Sequence, residues 1–180
     1  MVVRWEPPPL GTLKCNIGVA FVKEENSFKL VVFIRDDRGQ FVMALSHTSP
    51  FKLLIHERKA LAMLVALQWL KDLEIDDIII ESDCLQVENE VYNCRSDKSK
   101  YGVILSNCRI MLRDLQNFWV CFVGRQANSV THSLDRALNS QPYNAQRSGI
   151  DDIIIESDCL QVENGVYNYH LGKLEYGEIL

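Results

Sequence analysis

Every second residue between positions 13 and 21 is apolar or small enough to be buried: Leu13, Cys15, Ile17, Val19 and Phe21 share one face, and Lys14, Asn16, Gly18 and Ala20 the other. A period of two is the mark of a strand. Residues 28–35 and 40–45 are two more β-rich runs, joined by Asp36, Asp37, Arg38 and Gly39, so the first third of the chain reads as a three-strand antiparallel meander with a tight second turn. The period then changes. Residues 57–73 are rich in Leu, Ala and Met without Gly or Pro, and from Ala60 to Leu70 they are apolar almost all round, as in a helix buried on several sides. A short strand (78–80), a short helix (85–91), a longer helix (102–115), a last strand (118–123) and a closing helix capped by Asn128 complete the order β-β-β-α-β-α-α-β-α. The expected fold class is α/β, with a mixed sheet flanked by helices.

The second constraint is a repeat. IDDIIIESDCLQVENEVYN at 75–93 returns as IDDIIIESDCLQVENGVYN at 150–168, one change in nineteen residues, Glu90 against Gly165. The likeness then fades, with Lys98, Tyr101, Gly102, Ile104 and Leu105 matching Lys173, Tyr176, Gly177, Ile179 and Leu180. A solenoid needs about three or more diverged units, so one near-identical partial copy reads as a recent segmental duplication. The expected organisation is a domain at 5–139, a linker at 140–149 and, at 150–180, a partial duplicate of 75–105. If the closing helix serves as a right-handed crossover, Ile153, Ile154 and Ile155 would add a sixth, edge strand.

Composition matters mainly for what it excludes. With 47% hydrophobic and 24% charged residues the chain is neither disordered, collagen-like nor a coiled coil. No apolar run reaches the ~18 residues of a membrane span, and the first nine residues lack a signal-peptide core, so a cytoplasmic or nuclear protein is expected. The six cysteines form no CxxC pair and are read as reduced. From Ile150 onward seven acids face Lys173 alone, a net of −6, which leaves +1 for residues 1–149 of the total of −5. The acidity therefore belongs to the copy, and the main domain can still bind nucleic acid through a local basic surface.

Few residues are placed to carry chemistry. Glu57 lies in the first turn of the buried helix beside Ala60, Leu61 and Leu64, where its carboxylate either stabilises the helix N-terminus or serves a site. Asp83 follows the 78–80 strand at a carboxyl end, the edge where open α/β sheets place ligands; it equally suits the N-cap of the helix at Leu85. Two acids from separate elements aimed at one sheet edge are the raw material of a Mg²⁺ site. His132 and Asp135 lie on the polar side of the last helix and read equally as a solvated face.

In succession, LKCNIGVAF (13–21), FIRDDRGQFVMA (33–44), HERKALAMLVALQWL (56–70), IIIESDCLQV (78–87) and RQANSVTHSLDRAL (125–138) resemble the ribonuclease H-like domain of plant retroelement-derived proteins, over about residues 5–139. The resemblance implies a five-stranded sheet with three antiparallel strands first, and a two-metal site, with Mg²⁺ or Mn²⁺, that hydrolyses the RNA strand of an RNA/DNA hybrid. Glu57 and Asp83 match two of its acidic metal ligands, and His132 falls at the fourth acidic position. Gly18 falls where the family carries its first, metal-bridging aspartate, and the mobile histidine loop of bacterial-type enzymes is missing. Loss of a bridging carboxylate is expected to cost at least roughly 100-fold in activity. Asn16, Arg125 and Asn128 are the candidates for nucleic-acid backbone or 2′-hydroxyl contacts. Three functions stay open: a non-catalytic nucleic-acid-binding module, an active metal-dependent hybrid ribonuclease, and a decaying retroelement fragment. A nucleic-acid partner is expected, without a membrane or a small-molecule cofactor.

Overall fold

A computed structural model of the chain describes residues 4–22, 27–49, 52–93, 97–115 and 117–129. Its elements are β1 (Leu13–Val22), β2 (Ser27–Arg35), β3 (Phe41–Ser49), α1 (Ile55–Asp72), β4 (Ile78–Ser82), α2 (Leu85–Val91), α3 (Lys100–Asp114) and β5 (Phe118–Phe122). They form one five-stranded sheet in the order β3-β2-β1-β4-β5. The first three strands pair antiparallel, and β4 joins β1, and β5 joins β4, in parallel. No helix of the described residues is long and apolar enough to cross a membrane.

Two strands outrun their apolar cores. β3 continues through Ser46, His47, Thr48 and Ser49 because β2 supplies backbone partners as far as Phe28↔Ser49. β4 continues through Glu81 and Ser82, which pair on one side with Asn16 and Ile17 and on the other with Cys121 and Phe122. Ladder hydrogen bonds on both flanks override the polar side chains at these positions. The β2–β3 turn is closed by the Asp36 carboxylate, whose Oδ1 accepts from Arg38 N (2.9 Å) and Gln40 N (2.7 Å), while Gly39 takes φ 77° against the Trp5 ring.

The core lies on one face of the sheet. Cys15, Ile17, Leu30, Val32, Ile34, Ile78, Ile80 and Val120 meet α1, whose residues from Ala60 to Leu67, with Trp69 and Leu70, are buried, and α3 closes over them through Ile104, Leu105 and Cys108. α1 ends without glycine. Glu74 adopts φ 53° and its N–H bonds Lys71 O, while Ile75 N–H reaches back to Leu70 O (3.1 Å), so a Schellman stop forms on a glutamate. α3 starts where Ser99 Oγ accepts from Gly102 N (3.1 Å). At α2 the N-cap is Cys84, one residue after Asp83, and the Cys84 side chain makes no cap bond.

Asn128 belongs to the turn after β5, and the closing helix beyond Ser129 lies outside the described residues, as do His132, Asp135, the linker and the whole copy, with its expected sixth strand. On β5, Val120 N–H already donates to the Tyr92 hydroxyl (2.9 Å).

Candidate functional site

The site expected from the sequence lies at the middle of β1 and the carboxyl end of β4. The last parallel pair is Ile17↔Ser82, which sets Gly18 and Asp83 side by side one step further on. By strand alternation Gly18 belongs to the face of Asn16, while Asp83 lies in the turn between β4 and α2. Gly18 is buried and offers no side chain to that position.

Asp83 is occupied. Its Oδ1 accepts a short hydrogen bond from Lys59 Nζ, and the two side chains are 8% and 18% exposed. Lys59 comes from the second turn of α1, so this helix reaches the carboxyl end of β4 with an ammonium group. Glu57 turns back on its own helix: Oε2 accepts from Leu54 N–H at 2.7 Å, the reciprocal half of a capping box on an N-cap leucine that has no side-chain oxygen to offer. The helix-capping alternative is therefore the contact Glu57 makes here.

Asn16 is fully buried and its amide is used at both ends. Nδ2 donates to Glu81 Oε2 (2.8 Å), and Oδ1 accepts from Arg35 Nη2 (2.6 Å). Asn128, also fully buried, donates through Nδ2 to Ile17 O (2.8 Å) and so ties the turn after β5 to the middle of β1. Arg125 is exposed on that turn. The structure thus joins Gly18, Asp83 and Asn128 around the middle of β1 and the end of β4, and directs Asn16 and Glu57 to bonds within the chain.

The sequence reading missed a polar network beside this site. Glu81 is 6% exposed and holds Lys14 Nζ on Oε1 at 2.8 Å, while Lys14 also donates to Glu6 O (2.7 Å). The Arg35 guanidinium carbon lies 3.4 Å from the centroid of the Trp5 ring. Burial pulls the Arg35 pKa down to about 10, against the opposing pull of Glu81. The signal was alternation: Lys14 and Asn16 sit on one face of β1, and Glu81 falls on the same face of the neighbouring strand once the parallel register is known.

The donor set can now be tested against a two-ion centre. Gly18 contributes no ligand, one oxygen of Glu57 is taken by Leu54 N–H, and Asp83 is held by an ammonium group. No group of three His, Cys, Asp or Glu side chains among the described residues could hold a metal ion. These residues do not fit the centre that the resemblance implies.

The sequence profile of the reverse transcriptase-like family matches residues 16–137, well over half of the chain. The chain belongs to the reverse transcriptase-like family. No curated protein matches it. Among solved structures it is similar to RNase H1 from the halophilic archaeon Halobacterium salinarum, with a TM-score of 0.61 at 17% identity over 73% of this chain and 100% of that one. The compost-derived LC11-RNase H1 in complex with an RNA/DNA hybrid gives 0.59 at 12% identity, over 71% and 99%. An N-terminal RNase H domain from Mycobacterium tuberculosis gives 0.58 at 8%, over 71% and 94%. The fold of this family member is that of RNase H, with the expected mixed sheet.

Proposed function

We propose that residues 5–139 act as a nucleic-acid-binding RNase H-like domain, derived from a plant retroelement, which takes RNA/DNA hybrid or a related duplex and hydrolyses it poorly or not at all. Support for a hybrid as ligand comes from the shared fold with LC11-RNase H1, whose structure holds one. Arg125 on the exposed turn after β5 is the described residue best placed to reach a phosphate backbone, with Asn128 fixing that turn to β1. The observation that carries the impairment is the pairing at the carboxyl end of the sheet: Gly18 stands where a carboxylate would bridge two ions, next to an Asp83 already neutralised by Lys59.

The test is cleavage of a labelled RNA/DNA hybrid in Mg²⁺ and in Mn²⁺, beside Asp83→Asn as a contamination control, with titration against hybrid, double-stranded RNA and DNA. Expected are binding that weakens with salt and no cleavage sensitive to Asp83→Asn. Cleavage by the unmodified protein that Asp83→Asn abolishes would reinstate the enzyme, and failure to bind any duplex would favour the decayed fragment.

A further inference from the structure

We propose that Lys59 is the resident cation of this site, its ammonium group standing at Asp83 in place of a divalent ion, so that the folded protein neither needs nor retains Mg²⁺ or Mn²⁺ there. The inference rests on reading the middle of β1 and the carboxyl end of β4 as an RNase H-derived site, and goes beyond it by naming what compensates Asp83.

Burial provides the first step. The Asp83 carboxylate is 8% exposed at the end of a central strand, and a carboxylate so withdrawn from water needs a partner of opposite charge. Lys59 satisfies that need from within the chain. The second step is competition. Mg²⁺ demands near-octahedral oxygen coordination and usually binds through more than one carboxylate, and it surrenders its own waters reluctantly. To enter, it would have to displace an ammonium group tethered at full effective concentration by α1, then find a second carboxylate. Gly18 supplies none, and Glu57 would have to give up Leu54 N–H. A lysine ammonium asks for much less, because a compact single charge with three rotatable donors is satisfied by one carboxylate and whatever carbonyls or water lie nearby. Loss of the bridging acid and presence of the lysine are therefore complementary: among the described residues Asp83 is the carboxylate at this position, and the single positive charge of Lys59 balances it.

The experiment needs no nucleic acid, so its result is separable from that of hybrid binding. Paramagnetic Mn²⁺ is titrated into the isotope-labelled full chain while amide signals of residues 16–18 and 81–84 are followed by NMR, and thermal unfolding is recorded in 10 mM Mg²⁺ and in EDTA for the natural protein, Lys59→Met and Lys59→Met/Asp83→Asn. The natural protein should show no selective broadening at these amides and the same Tm in both buffers. Lys59→Met should lose roughly 5 °C or more in EDTA and regain little of it in Mg²⁺, since Gly18 still supplies no second carboxylate, while the double variant should be more stable than Lys59→Met and indifferent to Mg²⁺. Selective Mn²⁺ broadening at Gly18 and Asp83 in the natural protein would overturn the proposal, and that arm stands even if Lys59→Met fails to fold. A Mg²⁺-dependent rise in Tm of the natural protein would overturn it equally.

Discussion

The two faces of the sheet are held by different physics. On the helix side Cys15, Ile17, Val32, Ile34, Ile78 and Ile80 meet α1 and α3 through contacts that have no preferred direction. On the other side Lys14, Asn16, Arg35 and Glu81 are withdrawn from water under Trp5 only because each polar atom named above has a partner at a particular distance. The first face tolerates any well-shaped apolar side chain. The second depends on its members being present together, since removal of one leaves another buried without its partner.

Truncation separates them most strongly. Trp69→Ala on α1, where the ring is fully buried, should cost about 3–5 kcal/mol by urea unfolding, and no second apolar truncation should restore it. Glu81→Ala should cost about 3 kcal/mol by leaving the Lys14 ammonium buried and unpaired, whereas the pair Lys14→Met with Glu81→Met should regain most of that stability. A double variant no better than Glu81→Ala would mean that the polar face is not held by this pair.

Alkaline pH should probe the helix side next. Burial raises the Cys15 thiol well above its ordinary value of 9.0 and pushes the Cys108 thiol up to about 12. A thiol whose folded pKa is raised keeps its proton after the unfolded chain has lost its own, so its contribution is complete below pH 9 and declines above it. Stability should fall by about 2 kcal/mol between pH 8 and pH 10, and Cys15→Ala/Cys108→Ala should flatten that slope whatever it does to stability at neutral pH. The smallest effect belongs to the stacking on the polar side: Trp5→Leu should lower stability by about 1 kcal/mol through loss of the ring over Arg35, measured by the same unfolding curves.

This contrast also explains what the sequence could and could not reveal. The helix-side face was legible because burial by apolar contact leaves a period, two in β1 and near-continuous in α1, and periods survive without coordinates. The mixed sheet and the places of Gly18 and Asp83 followed from that order together with the motif resemblance. Lys59 and Glu81 were not legible as partners, because a salt bridge between elements 24 or 67 residues apart depends on register and helix reach rather than on local pattern. Glu57 shows the limit from the other side. Its position in the first turn was correctly read, yet two chemically sound uses competed for one carboxylate, and only the Leu54 N–H at 2.7 Å distinguishes them.

The strap ahead of β1 gives the domain a physical edge that differs from its familial one. The family profile begins at residue 16, yet Glu6 O receives Lys14, Trp5 covers Arg35 and packs against Gly39, and Gly11 N–H binds Asp37 Oδ2 at 2.6 Å. A chain trimmed to the recognisable motif would keep every residue by which its kinship is detected and lose the stretch that shields its central polar pairs from solvent. The span by which this unit is recognised and the span whose contacts cover its polar pairs therefore begin at different residues.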